Sequence, residues 1–211
     1  MRMFRIPPIL FKLFPHIYWK NLATKNQVYL TFDDGPDPDF TPKILDILDT
    51  AEAHASFFII GRKAQKHPDL IQQIDQLQHT IGIHCYDHYR LLFRAKTFIH
   101  GQLTKSKFIV EQILQKPVRY FRPPYGILSP RLIQVCHELD LKLVLWSVMS
   151  YDFNENVSDK FILKLIETKT SSGDIIVFHD GHVKSDRTVK ILGAIIKLLK
   201  EKGLKLNSIL K

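Results

Sequence analysis

Four short stretches carry side chains whose types and spacing could do chemistry. Thr31-Phe32-Asp33-Asp34-Gly35-Pro36 sets two adjacent carboxylates after an apolar, β-rich run and before a Gly-Pro break. Neighbouring carboxylates repel, and both stay ionised most easily beside a cation. Gly82-Ile83-His84-Cys85-Tyr86-Asp87-His88 offers two histidines four apart. With Asp34 they make a two-histidine, one-carboxylate set with open coordination positions, which suits catalytic zinc, cobalt or non-haem iron. Tyr120-Phe121-Arg122-Pro123-Pro124-Tyr125-Gly126 supplies Arg122, able to pair with a carboxylate and hold it ionised. Its prolines stiffen the loop and would fix the following N–H groups where an oxyanion forms. Asp174-Ile175-Ile176-Val177-Phe178-His179-Asp180-Gly181 is an apolar run that ends on a histidine. Each stretch alone reads equally well as a polar turn, solvated loop histidines, a surface arginine or a core-edge histidine. Five strand ends that deliver Asp-Asp, His…His, Arg, Asp152 and His in turn make independent accidents a poor explanation.

The elements that would position these residues alternate between strand and helix from Gln27 onward. Gln27 to Asp33 reads as a strand. Thr41-Pro42 reads as a helix start, with Thr41 as N-cap and Pro42 at the first position. Ala55 to Gly61 is a buried strand, Arg62 to Gln78 one helix, and Ile81 to Cys85 a short strand. Leu103 to Gln115 is helical, Arg119 to Arg122 a strand, and Ser129 to about Leu139 a helix. Leu141 to Val148 is one strand, Ser158 to Thr168 a helix, Asp174 to Phe178 a strand. Thr188 to Lys200 is an amphipathic helix, and Leu204 to Leu206 a closing strand. Such alternation implies parallel strands joined by helical crossovers, with chemistry at their C-terminal ends. The first choice of fold is α/β, a distorted, incomplete (β/α) barrel of about seven β/α units; a doubly wound open sheet is second.

A chain of 211 residues, 45% hydrophobic and 24% charged, is that of an ordinary globular domain. The net charge of +9 suits an anionic partner, but the basic residues are scattered without an arginine-rich run, which argues against nucleic acid. Cys85 and Cys136 do not make a disulfide framework. Residues 1–24 form an apolar and basic extension before a domain over 25–211. Pro7, Pro8, Pro15 and Lys12 interrupt residues 1–20, so neither a spanning helix nor a clear secretory signal emerges. An extension packed on the outside of the domain is preferred over a peripheral membrane contact. A cytoplasmic or membrane-peripheral location follows as the expectation.

Taken in order, the four stretches resemble the motifs of the polysaccharide deacetylases, carbohydrate esterase family 4 (NodB homology domain). Thr31 to Pro36 looks like the family's first motif, and His84-Cys85-Tyr86-Asp87-His88 its histidine pair. Arg122-Pro123-Pro124-Tyr125-Gly126 matches the third, and Val177-Phe178-His179 is similar to the last. The resemblance implies a distorted (β/α) barrel and metal-dependent removal of N-acetyl or O-acetyl groups from a glycan, with zinc the expected ion and cobalt an alternative. It implies Asp34, His84 and His88 as metal ligands, Asp33 as base, His179 as acid, and the Tyr125 N–H as oxyanion support. Arg122 and Asp152 would tune them, and Pro124, Tyr125 and Val177 would meet the substrate. Tyr86, Tyr89, Tyr125 and Phe153 are candidates to stack on sugars.

The sequence also departs from the family pattern. Cys85 stands where a small hydroxyl residue is usual, and in the stretch Met149 to Phe153, which aligns with the family's fourth motif Asp-x-x-Asp-Trp, Met149 replaces the first acid and Phe153 the tryptophan, while Asp152 stands at the second acid. The loss at Met149 keeps a non-catalytic carbohydrate-binding protein as one alternative, and an amidase for a small non-sugar amide is another.

Overall fold

The structure is a computed structural model that describes residues 7, 9, 11, 14–21, 23 and 25–209. Its first strand, β1 (Gln27–Asp33), is buried at every residue from Val28 onward. A strand apolar on both faces belongs in the middle of a parallel sheet. β1 accordingly lies between β2 (Ala55–Ile59) and β7 (Ile175–His179), both parallel to it. Beyond β2 come β3 (Thr80–Ile83), β4 (Tyr120–Phe121) and β5 (Lys142–Leu143); beyond β7 comes β6 (Val148–Met149). A short β8 (Lys205–Leu206) pairs with the start of β1. Phe32 stacks on Phe57 with centroids 5.1 Å apart and lies 6.0 Å from Phe178, which ties the three central strands together.

Seven strands lying flat would put β5 and β6 about 29 Å apart at the usual strand spacing. Yet Leu143 and Val148 are joined by only five Cα steps, a reach of about 18 Å at most. The sheet must therefore curl until its edges face each other, which gives the incomplete barrel expected from the alternation. Residues 17–21 lie across the gap. Tyr18 N–H donates to the Leu143 carbonyl (2.9 Å), Leu145 N–H to Tyr18 (2.8 Å), and Asn21 N–H to Gly173 (2.9 Å), while Ile17 and Trp19 are buried in the core. Of the expected extension over 1–24, residues 1–6, 8, 10, 12, 13, 22 and 24 lie outside the described residues. No helix among the described residues is long and apolar enough to cross a membrane.

The helices are α1 (Thr41–Thr50), α2 (Gly61–Lys66), α3 (Pro68–Gln76), α4 (Lys96–Leu114), α5 (Pro130–Glu138), α6 (Asp159–Lys169) and α7 (Ser185–Glu201). Three expectations need correction. The helix over Arg62 to Gln78 is two, because Pro68 has no N–H to continue the ladder and starts α3 instead. Thr41 is the first residue of α1 rather than its cap: its hydroxyl accepts the Asp37 N–H (2.8 Å) and donates to Asp180 (2.6 Å). The single strand over Leu141 to Val148 is β5 and β6 on opposite edges, joined by the seam-crossing residues 144–147. Here Arg122 takes the Val144 and Leu145 carbonyls (3.3 and 2.9 Å), so they are not free to continue a ladder. α4 also begins seven residues earlier than the helix expected from Leu103.

Candidate active site

Parallel register delivers the reactive groups to one end of the barrel. Asp33 pairs in register with His179 across β1 and β7, and Ile83, just before His84, pairs with Phe121, just before Arg122. The next residues leave the strands in left-handed turns, with φ of 74° at Asp34, 66° at Cys85, 59° at His88 and 62° at Tyr125. Such conformations are uncommon for non-glycine residues and gather where the chain must aim side chains at a site. Two tight contacts lock the Asp34 turn. Any side chain at Gly35 would collide with the buried Asp180 carboxylate, and any at Gly181 with the Asp34 carbonyl.

Asp34 Oδ1 lies 3.1 Å from His88 Nε2 and 3.6 Å from His84 Nε2. One ligand atom from each of the three residues falls within 4.8 Å of the others. Asp34 Oδ1 is buried and accepts no hydrogen bond, an arrangement that would be costly unless something positive meets it. His84 is prepared for that role. Its Nδ1 lies 2.6 Å from the Arg122 carbonyl, which fixes Nδ1 as the donor and leaves the Nε2 lone pair toward Asp34. Burial lowers its pKa to about 3, so the imidazole is neutral, as a metal ligand requires. The donor set therefore fits a divalent transition metal.

Arg122 has no solvent exposure, and its guanidinium makes four hydrogen bonds. Nη1 donates to Asp33 Oδ1 (2.6 Å) and the Thr31 hydroxyl (2.7 Å), Nε and Nη2 to the two seam carbonyls, and its face lies 4.0 Å from the Phe58 centroid. It thereby holds Asp33 in place and, through its own carbonyl, orients His84. Burial outweighs the attraction of Arg122 and His179 and raises the Asp33 carboxyl above its usual value.

On the opposite side, His179 Nδ1 sits 2.8 Å from Asp152 Oδ1. Burial alone would lower the His179 pKa; the Asp152 charge and hydrogen bond raise it instead to about 9. Asp152 also accepts the His179 N–H (2.7 Å) and the hydroxyls of Ser150 (2.8 Å) and Thr188 (2.6 Å), and these bonds with His179 hold its own pKa low against burial. Asp152, the second acid of the fourth-motif stretch, therefore carries the contact with His179, three residues after Met149. Phe153 meets His179 edge to face at 5.0 Å.

The cleft between these groups has a volume of about 460 Å³. Of the residues singled out in the sequence, Asp33, Asp34, His84, His88, Tyr125, Met149, Phe153, Val177 and His179 line it. Arg122 and Asp152 stand behind Asp33 and His179, and Pro124 is buried away from the lining. Tyr125 is 56% exposed, with its ring 5.0 Å from that of His88, whereas Tyr86 is half-buried and bonded to Gln65. Trp146 and His182 also line the cleft and escaped the sequence reading, as did the supports Thr31, Thr188 and Asp180. Trp146 follows an apolar run and His182 lies three residues past a strand-end histidine, the places where such a fold puts its site. Cys85 is fully buried and its thiol pKa is raised by burial, so it is a core residue behind the histidines.

Comparison with known proteins agrees with this geometry. The model of the polysaccharide deacetylase family matches residues 20–144. The peptidoglycan-N-acetylglucosamine deacetylase of Bacillus cereus is 31% identical over 190 residues, covering 89% of this chain and 88% of its own. The chitooligosaccharide deacetylase of Azorhizobium caulinodans is 37% identical over 161 residues, covering 75% and 76%. Among solved structures, the Bc1960 peptidoglycan N-acetylglucosamine deacetylase superposes with a TM-score of 0.88 at 30% identity, over 97% of this chain and 95% of its own. The chain belongs to the polysaccharide deacetylase family, carbohydrate esterase family 4, as a hydrolase of carbon–nitrogen bonds.

Proposed function

We propose that this protein removes the N-acetyl group from amino sugars of an acetylated glycan, with Asp34, His84 and His88 holding a divalent transition metal, zinc by the donor set. The observation that carries the reading is the convergence of two imidazole Nε2 atoms on a buried, unpartnered carboxylate oxygen, one residue from a second carboxylate. When bound, such an ion supplies Lewis-acid polarisation of the acetamide carbonyl and a more acidic water. Asp33, oriented by Arg122, takes the proton of the attacking water. The Tyr125 N–H, aimed by the Pro123-Pro124 turn, donates to the oxyanion. His179, protonated at neutral pH because Asp152 raises its pKa to about 9, gives its Nε2 proton to the departing amine. Val177 and Trp146 line the apolar part of the cleft, where the acetyl methyl would sit.

The test is acetate release from N-acetylglucosamine oligomers and from peptidoglycan, with metal analysis of the same preparation. About one transition metal per chain and release that stops with a chelator are expected. Full turnover by metal-free protein would overturn the reading. The non-catalytic alternative rested on the loss of the fourth motif's first acid at Met149; the motif's second acid, Asp152, is present and lies 2.8 Å from His179.

A further inference from the structure

His84 and His88 on the loop after β3 and Tyr125 on the loop after β4 line one side of the cleft, and the charges just outside them form a bank that is unusual for this molecule. Among the described arginines, Arg62, Arg119, Arg122 and Arg187 each pair with a carboxylate. Arg90, Arg94 and Arg131 pair with none among the described residues; Arg90 and Arg94 lie on the loop after β3 and Arg131 at the start of α5, just outside the cleft's lining. The Arg90 guanidinium lies over the Tyr125 ring, 5.2 Å from its centroid, and that ring is 5.0 Å from the His88 imidazole. Arg94 follows four residues later with its guanidinium over Phe98, and Arg131 Nη1 donates to the Arg94 carbonyl (3.4 Å). The row therefore runs from the metal-binding histidines outward. Interleaved with it are exposed aromatic faces: Tyr125 at 56%, Tyr89 at 46% and Phe93 at 89%. Phe93 stands in a left-handed turn with a φ of 64°.

Exposed aromatic rings beside uncompensated guanidinium groups form a surface on which sugar rings can stack while the arginines take anionic substituents. We propose that this bank, Arg90, Arg94 and Arg131 with Tyr125, is a subsite for an anionic glycan, whose carboxylate- or phosphate-bearing sugars lie next to the acetylated sugar in the cleft. The inference rests on the function proposed above and narrows its substrate class. A chain drawn in by this bank is held by charge outside the reacting centre, so its effect falls on KM and fades with salt.

The experiment compares three glycans: the neutral N-acetylglucosamine tetramer; peptide-free peptidoglycan strands, whose alternate sugars carry a free lactyl carboxylate; and the same strands with those carboxylates amidated. The expected result is a lower KM for the free-acid strands than for the amidated ones, lost at high salt. Replacing all three arginines with glutamine should raise KM on the free-acid strands about tenfold, as three exposed charge contacts would. The tetramer's kcat/KM and the bound metal should not change, and the triple lysine variant should restore most of the loss. A phosphate-bearing glycan is the further arm, and preference for it over the carboxylate form would assign the arginines to phosphate. Equal KM values for free-acid and amidated strands, or equal losses on charged and neutral substrates, would overturn the proposal. If no glycan releases acetate, the function reading fails by itself. Calorimetric binding of the free-acid and amidated strands to the wild-type and triple-glutamine proteins then decides the subsite separately.

Discussion

Replacing Asp152 with asparagine tests the proposed acid at its source. Asparagine keeps an oxygen to accept the Nδ1–H of His179, now 2.8 Å from Asp152 Oδ1, but removes the charge. The sign follows from the balance at His179. Burial lowers its pKa from 6.5, and the Asp152 charge is the largest of the contributions that raise it to about 9. With Asp152 intact, about 90% of His179 is protonated at pH 8. Without that charge the pKa must fall from about 9, opposed only by the smaller pull of Asp34 and Asp33, and at the ordinary value of 6.5 about 3% would be protonated. Turnover of an N-acetyl substrate at pH 8 should fall by up to about 30-fold, with the alkaline limb of kcat/KM moving down from near 9. Lowering the pH should recover activity down to the limb set by the base. An acetyl ester, whose leaving group needs the proton less, should lose less, and metal content should not change. The asparagine NH₂ also faces the His179 N–H and Thr188 hydroxyl that Asp152 now accepts, so some stability will be lost. Thermal unfolding must confirm that the assays use folded protein. An alkaline limb still near 9 in the folded variant would refute the reasoning, because the titrating acid would then not be His179 under the control of Asp152.

Asp34→Asn should release the metal, since a neutral amide oxygen is a poor ligand, whereas Asp33→Asn should keep it and lower acetate release by roughly 10²–10⁴-fold; metal loss from the Asp33 variant alone would reverse the two roles. Arg122→Met should destabilise the fold by about 3–5 kcal/mol in denaturant titration, because it leaves Asp33 buried without its partner; a loss below about 1 kcal/mol would show that Asp33 finds another one. Gly181→Ala forces a methyl group onto the Asp34 carbonyl and should lower metal affinity with little change in KM for any substrate that still turns over; unchanged metal binding would mean that the Asp34 turn is not held by this contact.

The site was more legible in the sequence than the fold around it. Asp33, Asp34, His84, His88, Arg122 and His179 could be found because each follows a short apolar run, and a parallel sheet brings such strand ends together whatever the lengths of the helices. The register that sets Asp33 beside His179 makes that convergence concrete. The residues that escaped are those whose role depends on who stands behind whom. Thr31 looks like any strand threonine, and only its 2.7 Å bond to Arg122 makes it part of the mechanism's support. Thr188 and Asp180 are buried polar groups whose partners lie 36 and 139 residues away, and no local pattern announces such contacts.

The run Leu141 to Val148 shows why the rest was hidden. Its alternation and apolar content fit one buried strand, and Leu143, Val144, Leu145 and Val148 are indeed buried. Local propensity cannot distinguish a strand that pairs along its length from a segment that pairs at each end with a different edge. The choice is made by Arg122, which spends its Nε and Nη2 on the carbonyls of Val144 and Leu145. The same guanidinium positions Asp33, and its backbone carbonyl orients His84. One buried cation thus couples the seam of the barrel to Asp33 and His84, the proposed base and metal ligand. Closure and active-site order should therefore fail together: an Arg122 variant that stays folded should show faster hydrogen exchange at the amides of residues 144–147 and weaker metal binding in the same preparation. Loss of one with the other intact would separate the two roles and place the ordering of the site elsewhere.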